Sequence, residues 1–152
     1  MADQVSQKMI VKAPPAICYD VVSDFDSYHE WAPDLKEITV LARDSASRAT
    51  RVRFRAAGIG RSNHYTLDYD YSKAPSELSW VQSDGDLTSR LDGAYVFEPA
   101  GEGETQVVYK LIVELKIPLP AFVKRRAESK ILSTALRSLR ARVESKARAN
   151  SS

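Results

Sequence analysis

The chain has 152 residues, is 43% hydrophobic and 28% charged, and carries a formal net charge of +2. This length fits one domain with a sizeable core, and the composition is that of a soluble globular protein. No apolar run approaches the roughly 18 residues of a membrane span, and the N-terminus lacks the basic and apolar regions of a signal peptide. The single cysteine, Cys18, cannot form an internal disulfide, so we expect a cytoplasmic protein.

The N-terminal segment predicts one strand followed by two short helices. Alternating residues at 5–12 predict the strand, and Pro15 suits the first position of a helix because its missing N–H group is not needed there. Ser27 and Glu30 have the spacing of a capping box, which predicts a second helical turn that carries Trp31. The first helix has an apolar face, with residues three and four positions apart, made of Cys18, Val21, Val22 and Phe25.

Residues 35–115 show the alternation of repeated antiparallel strands. Apolar side chains occupy every second position, and glycine-containing turns at 58–60, 84–86 and 101–103 separate the segments. Together with the first strand, this pattern predicts a seven-stranded antiparallel sheet with one buried and one solvated face. The six further strands are predicted at 38–42, 48–56, 62–71, 77–83, 87–98 and 105–115.

One predicted hairpin places an arginine row on the outer face of the sheet. Arg51, Arg53 and Arg55 alternate with apolar residues, and antiparallel pairing sets them beside the polar side of the strand at 62–71. We interpret the row as a solvated face whose charges are compensated across the strands. An anion-binding stripe is the alternative.

The last segment, 121–148, predicts a long amphipathic helix that covers the sheet. We therefore assign residues 1–149 to one domain and 150–152 to a polar tail. The apolar stripe of the helix is Leu132, Ala135, Leu136, Leu139 and Val143. The opposite side carries Arg126, Lys130, Arg137 and Glu144.

The positive charge of the chain is concentrated in this helix. From Pro120 onward nine Lys or Arg stand against two Glu, so the segment carries +7 although the whole chain carries +2. A basic helix fits either a solvated outer surface or an anionic partner such as RNA or a membrane surface. We interpret it as a solvated face and expect no nucleic-acid partner.

The order of these elements resembles the helix-grip fold of START-related proteins. The resemblance is carried by the strand-to-helix junction at 10–15 (IVKAPP), by 21–33 (VVSDFDSYHEWAP), by 91–95 (LDGAY) and by the final helix. Along nearly its whole length the chain is similar to the polyketide cyclase/dehydrase branch of the SRPBCC superfamily. The resemblance implies an α+β fold in which the seven-stranded sheet wraps around the C-terminal helix. It does not specify a function, since the superfamily includes aromatase/cyclases, lipid and quinone carriers and hormone receptors.

Metal, nucleophile and phosphate sites have no support in the sequence. His29 and His64 lie on different elements and Cys18 has no partner at ligand spacing, so we expect neither a metal nor another cofactor. No spacing indicates a Ser-His-Asp or Cys-His nucleophile, and we identify no catalytic residue. The Gly-Ile-Gly segment at 58–60 joins two strands and is therefore a turn, not a phosphate loop.

The predicted inner face of the sheet is rich in Tyr and Trp, which indicates a binding cavity. These side chains combine a large apolar area with a polar tip, whereas a core that only packs is built more simply from Leu, Ile and Phe. An apolar surface with a few polar groups is the usual composition of a ligand pocket. A filled core whose tyrosine hydroxyls reach solvent is the alternative. The candidate cavity residues of the sheet are Tyr65, Leu67, Tyr69, Trp80, Gln82, Ser89, Tyr95 and Tyr109.

Glu128 lies on the buried side of the predicted C-terminal helix, where a carboxylate is costly unless it is paired. It is either a polar group at the mouth of the cavity or the partner of Lys124 and Arg125, which precede it by one helical turn. We retain Glu128 as a further candidate site residue.

These observations favour a protein that binds a small, largely apolar molecule, such as a lipid, quinone or polyketide, between sheet and helix. One alternative is a polyketide aromatase/cyclase or dehydratase, whose chemistry needs a shaped cavity and one acid or base. Another alternative is a ribosome- or RNA-associated protein that uses the basic helix. We expect a monomer or a homodimer.

Overall fold

A single antiparallel sheet and one long helix dominate the computed structural model, which describes residues 4–57 and 62–151. The elements in chain order are β1 (Val5–Val11), α1 (Pro15–Ser23), a 3-10 helix (Phe25–Glu30), β2 (Leu35–Arg43), β3 (Ala49–Ala56), β4 (Asn63–Asp70), β5 (Glu77–Gly85), β6 (Thr88–Gly101), β7 (Glu104–Leu115) and α2 (Ala121–Ser151). Within the described ranges the sheet has seven strands, in the order β1-β7-β6-β5-β4-β3-β2. The predicted α+β helix-grip fold is confirmed.

Each strand pairs with its neighbour in the chain, except that β1 joins β7. Val5 lies opposite Leu111, and Val11 lies opposite Thr105. β1 and β2 are therefore the two edges of the sheet, and α1 with the 3-10 helix runs from one edge to the other. Thr105 anchors the start of this connection, since its hydroxyl donates a hydrogen bond to the Ala13 carbonyl at 2.7 Å.

The arginine row lies on the outer face of β3, as predicted. Arg51 pairs with Asp68 across the β3–β4 ladder, with Nε and Oδ1 2.7 Å apart. Arg55 Nε lies 3.1 Å from a carboxylate oxygen of Glu37 on β2. Two of the three arginines, Arg51 and Arg55, are therefore paired with carboxylates of neighbouring strands, in agreement with a solvated face.

Helix α2 buries the predicted stripe against the sheet. Leu132, Leu136, Leu139 and Val143 are at most 2% exposed, and Ala135 is half-buried. Residues at every third and fourth position lie on one side of a helix, so one apolar face is enough to cover the sheet.

Several predicted boundaries differ from the structure, and β2, predicted at 38–42, extends over Leu35–Arg43. The 3-10 helix begins at Phe25, and no side-chain hydrogen bond caps it, so the capping box at Ser27 and Glu30 is wrong. Glu30 instead accepts a hydrogen bond from Arg142 of α2, and a tertiary ion pair has replaced the local cap. Helix α2 continues through Ser151, beyond the predicted start of the polar tail.

Glu144 is not on the solvated side of α2 where the sequence pattern placed it. Its side chain is only 16% exposed, and its carboxylate accepts a hydrogen bond from the Lys12 backbone N–H at 2.8 Å. The end of β1 therefore has a polar partner on the helix.

The predicted Gly-Ile-Gly turn at 58–60 lies outside the described residues. The turn at 101–103 is present, and Gly103 has a φ of +70°, a conformation that glycine adopts without strain. None of the helices in the described part of the chain is long and apolar enough to cross a membrane.

Candidate functional site

A cavity of about 160 Å³ lies between the inner face of the sheet and α2. Its walls come from β3 to β7, from one side of α2, and from the segment at 31–35 that follows the 3-10 helix. The lining is mostly aromatic and aliphatic. The side chains of the helix and the sheet therefore do not fill all of the space between these two layers.

Most of the predicted sheet residues are brought together around this cavity. They alternate along their strands, so regular antiparallel pairing places them on one face. The predicted residues that line the cavity are Tyr65, Leu67, Tyr69, Trp80, Tyr95 and Tyr109.

Gln82 and Ser89 were predicted to line the cavity, and the structure places both outside its lining. A register shift between Thr88 and Arg90 reverses the alternation at the start of β6. Ser89 is therefore exposed, while the buried Thr88 takes the inward position. The Gln82 side chain is bound to Thr88, whose hydroxyl donates to Gln82 Oε1 at 2.6 Å and whose carbonyl accepts from Gln82 Nε2 at 2.8 Å.

Glu128 is buried, with 4% of its surface exposed, but it is not part of the cavity lining. Lys124 Nζ donates a hydrogen bond to its Oε2 at 2.9 Å. The intrahelical ion pair is therefore the role that the structure supports for Glu128.

The aromatic side chains form a continuous cage. Ring centroids are 5.8 Å apart for Tyr69 and Trp80, 5.5 Å for Trp80 and Tyr95, and 4.5 Å for the stacked pair Tyr95 and Tyr109. Tilted and offset ring pairs at these distances are mutually stabilising. Each ring is thus held in place by its neighbours.

Gly93 makes room for the centre of this cage. It lies opposite Trp80 in the β5–β6 ladder, and a Cβ atom on Gly93 would be 2.7 Å from Cζ2 of the indole. The same Cβ would be 2.5 Å from the Lys110 backbone oxygen. Residue 93 therefore has to be glycine for the indole to lie flat on the sheet.

The tyrosine hydroxyls of the cavity remain protonated. Burial raises the pKa of Tyr65, Tyr69, Tyr95 and Tyr109 above the usual value of 10. They can therefore donate hydrogen bonds at neutral pH but are poor general bases. Among the described lining residues, the exposed Asp34 is the one carboxylate, and there is no Lys, Arg or His.

Cys18 is buried among core residues and does not line the cavity. Burial raises the pKa of its thiol to about 11, so a reactive thiolate is disfavoured. Within residues 4–57 and 62–151, no three His, Cys, Asp or Glu side chains cluster in a way that could hold a metal ion.

Several lining residues were missed by the sequence reasoning. The α2 residues that face the cavity form a second stripe beside the buried one. They are three and four positions apart and combine apolar with small polar side chains, so the sequence could have revealed them. These residues are Ile131, Thr134, Ala135 and Ser138. The segment at 31–35 has no periodic signal, since it is neither helix nor strand for most of its length.

Two buried polar atoms among the described residues lack a hydrogen-bond partner, Trp80 Nε1 and Asn63 Oδ1. Both residues line the cavity. Trp80 is 6% exposed and Asn63 is 2% exposed, so neither atom is solvated from outside. Both atoms are enclosed by the residues around them, so neither of them is exposed to the cavity itself.

Solved structures with the same fold cover almost the whole chain. A START superfamily protein from Mycobacterium smegmatis has a TM-score of 0.88 and 26% identity, over 93% of this chain and 97% of that one. A protein from Thermus thermophilus has a TM-score of 0.79 and 24% identity, over 99% of this chain and 100% of that one. The Zhui aromatase/cyclase from a Streptomyces species has a TM-score of 0.80 and 15% identity, over 95% of this chain and 94% of that one. The last two likenesses indicate the fold alone.

No curated protein matches the sequence. The profile of one family, described as polyketide cyclase / dehydrase and lipid transport, matches residues 2–144. Because this match spans nearly all of the sequence, the chain belongs to the polyketide cyclase / dehydrase and lipid transport family.

Proposed function

We propose that the protein binds a small, largely apolar molecule of the lipid, quinone or polyketide type in the cavity between the sheet and α2. The observation that carries this proposal is the aromatic cage, whose side chains line unfilled space between the sheet and α2. Concave, mostly apolar surfaces with a few polar groups are the usual sites for such ligands. The family description, which includes lipid transport, is consistent with it.

The size of the cavity favours a ligand of one or two rings. A volume of about 160 Å³ is comparable to the roughly 150 Å³ cavities that hold benzene in engineered proteins. Each Å² of apolar surface that such a ligand removes from water contributes about 25 cal/mol, before the cost of association is subtracted. We therefore expect dissociation constants that are micromolar or weaker.

Turnover has less support than binding. Aromatase or cyclase chemistry needs an acid or base beside the reacting carbonyls. The tyrosine hydroxyls are donors and poor bases, and Glu128 is occupied by Lys124. Asp34 would have to act as the base, and it lies on an exposed segment at the edge of the cavity.

Native mass spectrometry of protein purified without detergent tests the proposal. We expect a retained small molecule, because an apolar ligand partitions into the cavity from the cell. Ala135→Phe places a ring in the cavity and should remove the adduct, whereas Ala141→Phe, on an exposed part of the same helix, should not. No adduct in the wild type, together with no saturable binding of two-ring aromatic compounds, would contradict the proposal.

The same preparations separate a binding protein from an enzyme. Cyclisation of a poly-β-ketone mimic by the wild type, lost in Asp34→Asn, would establish the cyclase alternative and replace the binding proposal. The cytoplasmic location and the monomeric or homodimeric state stay predictions.

A further inference from the structure

The connection between β7 and α2 exposes a continuous run of apolar residues. Residues 117–123 (IPLPAFV), here called the apolar segment, contain no polar side chain, and every one of them is exposed. Single apolar residues are normal on a protein surface, but an exposed run of this length is typical of an interaction site. Its large side chains are Ile117, Leu119, Phe122 and Val123, and the most exposed of them is Phe122, at 63%.

The backbone at both ends of the apolar segment is held by the fold. The Lys116 N–H group donates a hydrogen bond to the Leu87 carbonyl at 2.9 Å, which ties the end of β7 to the β5–β6 turn. The Pro120 carbonyl accepts a hydrogen bond from the Val123 N–H group at 3.0 Å in the first turn of α2. The prolines at 118 and 120 have no N–H group, so the segment carries few backbone donors that need water. Its apolar side chains are therefore presented from a fixed position with few polar groups between them.

Basic side chains flank the apolar segment on both sides. Residues 116–130 contain five Lys or Arg and one Glu, so this stretch carries +4. Its one carboxylate, Glu128, is bound by Lys124. Arg125 and Arg126 are exposed, and neither forms an ion pair with another residue of the described part of the chain. Exposed apolar side chains beside unpaired cations are typical of a surface that binds an anionic lipid bilayer.

We propose that the apolar segment and the beginning of α2 bind the surface of an anionic lipid bilayer. The side chains of Ile117, Leu119 and Phe122 enter the boundary between headgroups and acyl chains, and Arg125 and Arg126 bind lipid phosphates. A second copy of this chain fits the surface less well, because a symmetric contact would bring together the +4 of both copies. The bilayer supplies both the apolar interior and the negative charge that this surface lacks.

The proposed contact lies at the same end of the sheet as the rim of the cavity. Leu115 at the end of β7 pairs with Thr88 at the start of β6, and β3 ends on the same side of this antiparallel sheet. The exposed Asp34 of the cavity rim is tied to the end of β3, since its carbonyl accepts a hydrogen bond from the Ala57 N–H group at 3.0 Å. The inference goes beyond the proposed function and does not depend on it, because binding to vesicles and binding of a cavity ligand are measured separately.

Co-sedimentation with lipid vesicles tests the contribution of the charges. We expect binding to vesicles of phosphatidylcholine and phosphatidylglycerol in equal parts, and much weaker binding to phosphatidylcholine alone. Arg125→Ser/Arg126→Ser should weaken binding to the mixed vesicles about thirtyfold. The control Lys8→Ser/Arg53→Ser removes the same charge from exposed positions on the sheet and should weaken it by about threefold at most.

Insertion of the apolar side chains is tested separately from the attraction between charges. Phe122→Ser should weaken binding to the mixed vesicles about tenfold, because one inserted ring is lost. Leu41→Ser removes an apolar side chain that is 50% exposed on the edge strand β2, and it should leave vesicle binding unchanged. In Phe122→Trp, the fluorescence of the new indole should shift to shorter wavelengths when the mixed vesicles are added. Both positions are exposed, so these variants should fold like the wild type.

Absence of binding to the mixed vesicles at low salt would overturn the inference and leave the proposed function intact. Binding that is unchanged in Phe122→Ser, with no shift in the fluorescence of Phe122→Trp, would also overturn it, since the apolar segment would then not enter the bilayer. A wild-type dimer that dissociates in Phe122→Ser, without vesicle binding, would instead make the segment an interface between two copies of this chain.

Discussion

At the scale of single residues, Glu144 shows how a polar side chain joins the helix to the sheet. Its carboxylate accepts one hydrogen bond from the Lys12 backbone N–H at 2.8 Å and one from Arg140 Nε at 3.3 Å. These donors stabilise the ionised form and hold the pKa of Glu144 below its usual value of 4.5. These hydrogen bonds therefore stabilise the folded protein most at pH values at which the carboxylate is charged.

We predict that Glu144→Gln lowers the free energy of unfolding by about 1 kcal/mol near neutral pH. Because the folded pKa is lowered, the carboxylate stabilises the protein above its unfolded pKa and loses this effect as pH falls through the folded value. The difference from wild type in chemical denaturation should therefore shrink on acidification below about pH 4. Glu102→Gln, in the exposed 101–103 turn, is the control and should have no such effect. A deficit independent of pH would contradict this explanation.

The sequence predicts which residues lie on the inner face of the sheet where the strand pairing is regular, but not where the register shifts. Tyr65, Tyr69 and Trp80 follow the alternation of their strands and lie in the cavity lining. Ser89 lies at a register shift, and a displacement of one residue moves the side chains of a strand to the opposite face of the sheet. No glycine or proline stands at this shift to mark it, so the exchange of Ser89 for Thr88 could not be derived from the local sequence.

At the scale of elements, α2 has a buried stripe and a cavity stripe side by side. Leu139 is fully buried between the helix and the sheet, whereas Lys130 is exposed on the outer side. The helix thus stabilises the fold with one stripe and lines the site with the other.

We predict that Leu139→Asp destabilises the protein by about 4 kcal/mol, because it creates a cavity and buries an unpaired carboxylate. Lys130→Asp introduces the same residue into the same helix, so the intrinsic helix preference cancels in the comparison. Its effect should stay within about 0.5 kcal/mol. Thermal or urea unfolding of both variants measures the difference, and equal midpoints would mean that the burial of this stripe is not what stabilises α2.

The existence and order of the elements could be predicted because apolar residues repeat at a regular spacing in each of them. Strands with alternating residues and one long amphipathic segment leave few arrangements other than a sheet covered by a helix. The 3-10 helix was placed less well. Glu30 had the spacing of a local cap, but its carboxylate is used by Arg142, which lies far away in the sequence. Long-range ion pairs of this kind leave no local signal.

At the scale of the whole molecule, the size of the cavity depends on the distance between the sheet and α2. The sequence indicates which side chains face inward, but not how far the helix lies from the sheet. Packing alone would favour closing such space. The unfilled volume follows from the aromatic cage, whose stacked rings stand against one another and against Gly93. The size of this space could therefore not be derived from alternation.

The uneven charge of the molecule raises the question of an anionic partner. From Pro120 onward the sequence has nine Lys or Arg, but several are used within the fold. Lys124 pairs with Glu128, Arg140 with Glu144, and Arg142 with Glu30. The glutamates of the first two pairs are already included in the +7 of this segment, so only the pair with Glu30 lowers its charge further, to +6.

We predict that the protein does not bind RNA at physiological salt. Non-specific binding requires several cations along one surface, and each neutralised phosphate makes the affinity steeply dependent on salt. Fluorescence anisotropy with a labelled single-stranded RNA and an RNA hairpin should give dissociation constants above about 100 µM at about 0.15 M salt. The double variant Arg125→Ser/Arg126→Ser removes two exposed cations of α2 and should leave the result unchanged. Submicromolar binding that weakens steeply with salt and is lost in this variant would instead make the basic helix a nucleic-acid interface, and the ribosome- or RNA-associated alternative would then explain the charge asymmetry.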